Sequence, residues 1–574
     1  MLLSIQKEDV MKKIFLVLPL MVVSLFATNS FVVCHSGCSY SNIQSAIDDL
    51  NNSKGEYDIY IKAGTYNQSF NIVNKSVHII GEDATNTILD ENGGKRAIYL
   101  HLTQDDKNVT IENLQIKNAE ADTGGAIYAH SNYGVNLTLL LKNMIFENCS
   151  AQGDGGAIFI NSYINVVVEN SKFISNHAEE GGALWMWTSG LKIVHSEFDT
   201  NSASGKGGAL YTESTTSMID NSIFYKNSSG RGGALCPDRY YTDEPIQMNI
   251  KDSWFIQNRA ENGGGAIFDN GYSLKIENSV LAQNKTQTDS GGAIKSTYYS
   301  GLVDIESSDI VDNSADTNTS GDGLWIVRNG YKSVTIKNSI LKNGENDLYI
   351  DKNPDNNTTE NPIIMFSNVF GHKWDIGNDA YKYNHNIHDN TILVDANSSL
   401  FVDSQNLDFS LSENSILKDA GMDNAYLPYD IVGTARPQGN SGDIGACEAP
   451  SICKFKATKK IVPVCTIGSQ NYIAKTVTIH VKSGWNLKSV PYFAPVKLSN
   501  LLQGKESYIK IIWFWNEETH KWSVYSPDPS IQSIIQNYST LNPLNIDDTI
   551  NVGQGFWIDA KSSFDFDVPV FIAQ

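Results

Sequence analysis

The strongest constraint on the fold of this chain is a repeat in its middle. A Gly-Gly pair followed by Ala and an aliphatic residue returns every 25 to 32 residues, and a degenerate copy begins at Gly321. The pairs are Gly124 and Gly125, Gly155 and Gly156, Gly181 and Gly182, Gly207 and Gly208, Gly232 and Gly233, Gly264 and Gly265, and Gly291 and Gly292. One copy is too short to bury a core alone, so the copies must stack.

Two Asn positions recur in phase with the Gly pairs. One stands three residues after an aromatic or aliphatic residue, at Asn176, Asn201, Asn227, Asn258 and Asn284. The other ends an alternating run of the type V-x-I-x-N-S, at Asn170, Asn221, Asn278 and Asn338. Period-two alternation predicts strands, whereas Gly and Asn accept the left-handed conformation that sharp bends require. We expect the second set of Asn side chains to be buried in bends, with their amides stacked.

Three short strands and three bends in about 25 residues predict one coil of a parallel β-helix. Parallel strands then pair from coil to coil, and equivalent Phe, Ile and Val side chains fill the interior. We expect this all-β fold over residues 31–406, with roughly a dozen coils between residues 60 and 400. Apolar residues at helical spacing predict a short helix at Ile43–Leu50 that covers the N-terminal end.

The two ends of the sequence differ from the repeat. Residues 1–30 have the charged start, the apolar run Ile14–Phe26 and the small polar exit of a secretory signal peptide. Residues 449–470 have the composition of a linker, and the repeat is absent from residues 471–574. Alternating runs there predict a separate small β domain, with a hairpin around Asn516–Lys521 and a last strand at Gly553–Ile558. Three of its tryptophans, Trp513, Trp515 and Trp522, are either core residues or a stacking surface for sugars.

Seven cysteines follow the signal segment. Cys34 and Cys38 can close a small disulfide loop, and Cys447, Cys453 and Cys465 offer a second pair. Their spacing does not match a zinc site, so no metal and no cofactor is expected. Cys149 and Cys236 fall in the repeat and are expected to be buried.

The charge balance excludes one class of partner. The chain has 43 Lys and Arg against 64 Asp and Glu, a net charge of −21. Nucleic acid would be repelled by such a surface. Acidic loop residues such as Glu179 and Glu180 are typical of solvated turns. No apolar run after the signal segment is long enough to span a membrane as a helix.

The linked Gly-Gly-Ala-Ile and Phe-x-x-Asn motifs resemble the repeat region of the polymorphic outer membrane proteins, over about residues 111–345. Members of that family are surface β-helices, and several serve as adhesins. Residues 40–95 resemble the first coils of the pectin-lyase-like superfamily, which implies a right-handed helix; the matching segments are Ile43–Ile47, Ile61–Tyr66 and His78–Gly81. The 125 or so residues after position 448 are few for the autotransporter domain of the first family, which implies release or anchoring by other machinery.

Residues 407–448 resemble the closing segment called the choice-of-anchor Q domain, which usually caps a β-helix of an exported protein. The matching residues are Asp408–Leu411, Ser415, Asp419–Gly421, Arg436-Pro437 and Asp443–Glu448.

The resemblances and the polar repeat loops predict an exported, adhesin-like protein at the outer membrane surface or outside the cell. It would bind a polysaccharide or a protein of a host or neighbouring cell through the repeat rod. Two alternatives stay open: a polysaccharide lyase or hydrolase of the pectin-lyase-like superfamily, and a structural spacer that binds nothing. No catalytic residue is assigned, because the sequence has no Gly-His-Gly turn and no Arg in a recognisable catalytic context.

Overall fold

The computed structural model resolves the chain into two compact units, residues 1–457 and 458–574. The described residues are 30–573 except 51–56, 104–106, 133–136, 162, 188–189, 240–245, 298–300, 316–320, 328–331, 344–345, 352–362, 367, 371–372, 377–385, 388–391, 394–398, 422–426, 457–471, 482–483, 490–495, 498–505, 517–520, 537–540, 545–548, 551–554 and 563. The predicted signal segment lies outside them, except for Ser30.

Four parallel sheets build the β-helix of the first unit. In the central part of this unit, each coil contributes one strand to each sheet in turn. Sheet 1 contains Ser30–Val33, Asp58–Ile61, Val77–Gly81, Asn108–Glu112, Leu137–Lys142, Ile164–Glu169, Gly190–Val194, Thr216–Asp220, Gln247–Lys251, Ser273–Glu277, Gly301–Glu306, Lys332–Lys337, Ile363–Phe366 and Asn386–Ile387. Sheet 2 contains Gly64–Tyr66, Thr87–Asp90, Gln115–Lys117, Ile145–Glu147, Lys172–Ile174, Glu197–Asp199, Ile223–Tyr225, Trp254–Ile256, Val280–Ala282, Asp309–Val311, Ile340–Lys342, Val369–Phe370 and Ile392–Leu393.

The other two sheets flank the Gly-Gly turns. Sheet 3 contains the short strands Glu120–Ala121, Ser150–Ala151, His177–Ala178, Ser202–Ala203, Ser228–Ser229, Arg259–Ala260 and Lys285–Thr286. Sheet 4 contains Phe70–Val73, Ile98–Leu102, Ile127–Ser131, Ile158–Asn161, Leu184–Trp187, Leu210–Glu213, Leu235–Asp238, Ile267–Asn270, Ile294–Thr297, Leu324–Val327, Asn346–Asp351 and Lys373–Ile376. The predicted parallel β-helix is confirmed.

Stacked side chains fill the interior of the coils. The central column consists of Phe146, Phe173, Phe198, Phe224 and Phe255, all fully buried. Successive rings are parallel, with centroids 4.6–4.7 Å apart. The Phe residue that the repeat places three positions before Asn is therefore a core residue, and its recurrence follows from the stacking of identical coils.

A short helix, Ile43–Asp48, contacts strands of the first coil. The side chain of Asn42 caps it by accepting a hydrogen bond from the backbone N–H of Ser45 at 3.1 Å. Ile43, Ala46 and Ile47 are buried, which agrees with the apolar spacing in the sequence. No helix in the described part of the chain is long and apolar enough to cross a membrane.

Residues 399–456, here called the flanking segment, pack along the side of the β-helix. They contain the strands Phe401–Asp403 and Asp408–Leu411, separated by a 3-10 turn at Ser404–Asn406. Their apolar side chains cover the outer face of sheet 2, at Ile256, Val280, Ala282, Val311 and Ile340. The described residues of this segment therefore cover an apolar face of sheet 2 along the side of the β-helix, and the expected closure of its end stays a prediction.

A buried polar network fixes the flanking segment. The Arg436 guanidinium is buried and donates to the carbonyl oxygens of Asp443 and Gly445. Asp309 of sheet 2 is also buried, and one of its carboxylate oxygens accepts from the backbone N–H of Ala446 at 3.0 Å. Residues 449–456, assigned to the linker from sequence, belong to this segment because Cys453 is bonded to Cys447 and Phe455 is buried.

The second unit is mostly antiparallel. Strand Tyr472–Val481 pairs with Phe564–Ala573. A five-stranded sheet has the order Gly484–Ser489, Gly555–Ala560, Ile509–Asn516, Lys521–Tyr525, Leu541–Pro543, and Val496–Lys497 pairs with Thr549–Ile550. A helix spans Pro529–Gln536, and a 3-10 turn spans Glu506–Tyr508.

The hairpin predicted around Asn516–Lys521 is present, with Asn516 paired to Lys521. The prediction that the strand near Gly553–Ile558 is the last one is wrong, because Phe564–Ala573 forms a further strand. The sequence of that strand does alternate, with the apolar residues Phe564, Phe566 and Val568 at every second position.

Candidate functional site

The recurring Gly, Phe and Asn residues of the repeat lie in the turns and the core. The first Gly of each pair has a positive φ, for example +63° at Gly207. The second packs against the next coil, since a Cβ on Gly208 would lie 2.1 Å from the carbonyl oxygen of Gly233. The seven pairs thus build the turn between sheets 3 and 4.

The continuous amide ladder is formed by the first set of Asn residues, whereas it was predicted for the second set. Asn176, Asn201, Asn227, Asn258 and Asn284 are fully buried, and each side-chain amide donates to the carbonyl oxygen of the next Asn amide at 2.9–3.0 Å. The ladder continues through Asn313 to Asn343. Each amide within it also bonds a backbone carbonyl of the previous coil, as Asn227 does with Phe198 at 2.9 Å.

The prediction of burial is wrong for Asn170 and Asn221, which are exposed. Asn278 and Asn338 are buried, beneath the flanking segment. All four have φ between +45° and +47°, so they form the bend itself, and their side chains turn away from the core. The Ser that follows each of them points inward instead, and these Ser residues form a second ladder.

The cysteines and tryptophans singled out from sequence lie in both units. Cys34 and Cys38 form a disulfide, as do Cys447 and Cys453. Cys149 and Cys236 are buried free thiols. Trp513 is half-buried in strand Ile509–Asn516, whereas the side chains of Trp515 and Trp522 and the whole of Cys465 lie outside the described part. The choice between core residues and a sugar platform therefore stays a prediction for these tryptophans, since only the Trp513 side chain is described.

One cluster of potential metal ligands occurs among the described residues, at Asp430, Cys447 and Cys453. The two sulfur atoms are bonded to each other, so neither is a thiolate ligand. The cluster has the wrong chemistry for a metal.

The outer face of sheet 4 carries rows of aromatic and hydrogen-bonding groups. Its strands place the second and fourth residues outward, in register from coil to coil. The first outer row contains Tyr99, Tyr128, Phe159, Trp185, Tyr211, Cys236 and Phe268. The second outer row contains His101, His130, Asn161, Trp187, Glu213, Asp238 and Asn270. We call these two rows the sheet 4 face.

The first outer row is a stacked, largely covered layer. Phe159 lies between Tyr128 and Trp185, with ring centroids 5.2 and 4.5 Å away. Lys206 and Arg231 lie over the rings of Tyr211 and Phe268. This layer supports the second outer row, in which Trp187 is 38% exposed.

A charged network lies on the same face, in the coil of Trp187 and the next two coils. The Lys206 ammonium contacts Asp238 at 2.8 Å and Glu180, one coil earlier, at 3.6 Å. Asp238 also accepts from the Tyr211 hydroxyl at 3.3 Å and from the Asn270 amide at 2.6 Å. Glu180 was expected to be a solvated turn residue, but it is half-buried in this network. The sequence missed these residues because the contacting partners are 26 to 32 positions apart and meet only when the coils stack.

Electrostatics decides the protonation of this network. Burial lowers the pKa of Lys206, but the hydrogen bond and charge of Asp238 outweigh burial and raise it overall. Burial and the charge of Asp238 strongly raise the pKa of the Tyr211 hydroxyl. Lys206 is therefore a fixed cation, and Tyr211 a neutral hydrogen-bond donor.

A shallow groove of about 430 Å³ lies at the turn between sheets 2 and 3. Asn118, Asn148, Glu120, Ser150 and His177 line it. Its lining offers hydrogen bonds but no Trp, Tyr or Phe, so the sheet 4 face is the stronger candidate for a sugar ligand.

Comparisons with known proteins concern the first unit. Residues 96–294 match the family model described as the right handed beta helix region. Comparison with curated proteins gives no match.

Solved structures similar in fold include the A-module of mannuronan C-5 epimerase AlgE4 from Azotobacter vinelandii, at 12% identity, 60% coverage of this chain, 93% of that chain and a TM-score of 0.39. Pectate lyase Pel9A is similar at 16% identity, 73% and 96% coverage and a TM-score of 0.31. A pectin methylesterase in complex with a hexasaccharide is similar at 12% identity, 63% and 92% coverage and a TM-score of 0.20. The stacked coils and the matching family model show that the first unit is a right-handed parallel β-helix.

Proposed function

We propose that the β-helix binds an extended carbohydrate chain along the sheet 4 face. The observation that carries the proposal is the exposed Trp187, which stands in a row of hydrogen-bonding side chains supplied once per coil. Aromatic rings present an apolar surface to sugar rings, while Asn161, Glu213 and Asn270 can bond sugar hydroxyls. Because coils repeat along one axis, a chain of sugars would meet similar groups on successive coils.

The same proposal places the protein outside the cell as an adhesin-like surface or secreted protein. The support is the sequence of residues 1–30 and the pair of disulfides, which form in oxidising compartments. Fusing residues 1–30 to a reporter enzyme tests export. The reporter should be found outside the cytoplasm, and a reporter that stays inside would contradict this part of the proposal.

Polysaccharide cleavage is the alternative, and one observation favours it: Lys206, Tyr211 and Asp238 form a network of the kind used in acid–base chemistry. Two observations weigh against it. Tyr211 is 3% exposed and neutral, and Lys206 is protonated by its pairing with Asp238, so neither group can remove a proton from a sugar. We therefore expect no release of reducing ends or unsaturated uronates from pectin or alginate, with or without calcium. Turnover lost on Asp238→Asn would establish the alternative.

The binding proposal is tested with a glycan array followed by calorimetry on the ligands found. Trp187→Ala should lower affinity by about tenfold or more, because a stacking surface is lost. Met218→Ala is the matched control, since Met218 is 41% exposed on the outer face of sheet 1. Equal affinities for wild type and Trp187→Ala would contradict the proposal, as would an array without a ligand.

A further inference from the structure

Negatively charged groups outnumber positively charged groups on the part of the sheet 4 face that contains Trp187. Four carboxylates from successive coils, Asp154, Glu180, Glu213 and Asp238, lie on or beside the sheet 4 face. Asp154 and Glu180 are paired in register immediately before the Gly-Gly turns, and Glu180 contacts Lys206. Lys206 is shared between Glu180 and Asp238, so it balances only part of this negative charge.

The carboxylates disturb one another. Burial, followed by the charges of Glu180 and Glu179, raises the pKa of Asp154 to about 6. Burial and the charges of Asp238 and Glu180 also raise the pKa of Glu213. Ionisation of both groups is therefore opposed first by burial and then by neighbouring negative charge, and a bound cation would relieve the second of these effects.

A second observation concerns Trp185, which stacks between Phe159 and Tyr211 on the same face. Trp185 is 8% exposed, and its indole N–H is buried without a hydrogen-bond partner in the described structure. A buried donor without an acceptor is costly, and an oxygen of a sugar that displaced the side chains covering it would satisfy it.

From this geometry we infer that the sheet 4 face selects glycans that carry protonated amines, such as chains of glucosamine, over N-acetylated and uronate chains. The inference rests on the proposed function and specifies its ligand class. The sugar ring packs on Trp187, and its ammonium group lies among Asp154, Glu180 and Glu213. A uronate carboxylate in that position would be repelled by these carboxylates. The net charge of −21 adds to this repulsion.

The test uses three oligosaccharides of equal length: glucosamine, N-acetylglucosamine and galacturonate. Calorimetry with the full chain at about pH 6, where the glucosamine amine is protonated and Asp154 is about half ionised, should give at least about tenfold tighter binding of the glucosamine oligosaccharide. High salt should remove most of that preference and leave the N-acetylated ligand unaffected.

Variants separate the inference from the proposed function. Asp154→Asn combined with Glu180→Gln should abolish the preference for the amine while keeping the affinity for the N-acetylated ligand. The matched control is Asp220→Asn with Glu277→Gln on the outer face of sheet 1, which makes the same change in charge and should keep the preference.

Each outcome decides between the two claims. Equal binding of the glucosamine and N-acetylglucosamine oligosaccharides, both weakened by Trp187→Ala, would overturn the inference and leave the proposed function standing. Tighter binding of the uronate would also overturn the inference. Failure of all three to bind would contradict the inference, whereas the proposed function would then be judged by the glycan array.

Discussion

Replacing Asn227 with Ala should strongly destabilise the β-helix. The Asn227 amide oxygen accepts from the backbone N–H and the side-chain amide of Asn201, at 2.9 and 3.0 Å. Its amide nitrogen donates to the carbonyl of Phe198 and to the side-chain oxygen of Asn258, at 2.9 and 3.0 Å. The side chain is fully buried, so water cannot replace these partners.

The size of the destabilisation follows from the hydrogen-bonding groups that lose their partners when the Asn227 side chain is removed. The backbone N–H of Asn201 loses its acceptor, which costs about 1–3 kcal/mol, and three further bonds are lost at about 0.5–1.5 kcal/mol each. We therefore expect Asn227→Ala to lower the unfolding free energy of the β-helix by about 3–7 kcal/mol. Neighbouring ladder amides depend on one another, so the upper half of the range is favoured.

Urea unfolding of the full chain, followed by far-ultraviolet circular dichroism, measures the effect. Asn221→Gly is the control, because it removes an exposed amide from the same coil and keeps the positive φ of 45°. The control should change the unfolding free energy by less than about 0.5 kcal/mol. An Asn227→Ala protein with an unchanged midpoint, or a control as unstable as that variant, would refute the reasoning.

Three further predictions concern packing, protonation and domain structure. Gly208→Ala should lower the unfolding free energy by about 3 kcal/mol or prevent folding, because the new Cβ would clash with the carbonyl oxygen of Gly233. Gly94→Ala is the control and should be neutral, because Gly94 has open space around it. Equal thermal stability of the two variants would contradict this prediction. Burial raises the pKa of Asp309 to about 7 against an unfolded value near 4, so its protonated form favours the folded state at low pH and this contribution is lost as the pH rises to about 7. The melting temperature of wild type should therefore fall as the pH rises to about 7, and that of Asp309→Asn should not show this fall. Parallel pH profiles of the melting temperature for variant and wild type would contradict the prediction. The second unit, 458–574, should fold alone, with blue-shifted Trp fluorescence and a cooperative melt; a fragment without a melting transition would show that the unit depends on the β-helix.

The sequence predicted the coil because coil stacking needs identical residues at identical places. Gly207 and Gly208 recur since no other residue fits their turn, and Phe198 recurs since its ring stacks on equivalent rings. These requirements are local and periodic, so they are visible in a single sequence.

The direction of the Asn side chains was not predictable in the same way. Asn221 and Asn227 both recur once per coil, and both stand at bends. At the first bend Asn itself takes the left-handed conformation and points outward, whereas at the second bend Lys226 takes it and Asn227 points inward. Period-two alternation is interrupted at each bend, so it cannot be extended across one.

The candidate site was missed for a different reason. Glu180, Lys206 and Asp238 lie in coils of different lengths, and only the register of the strands brings them together. In sequence each is a single charged residue near a turn, which is typical of a solvated surface.

Hydroxyl-radical footprinting in the presence of a bound oligosaccharide tests the central claim most directly. Trp187, Tyr60 and Met218 are 38%, 39% and 41% exposed, so each should be oxidised in the free protein. Tyr60 and Met218 lie in sheet 1 and serve as internal controls. Binding along the sheet 4 face predicts protection of Trp187 alone among the three. Protection of Tyr60 or Met218 with Trp187 unchanged would contradict the account.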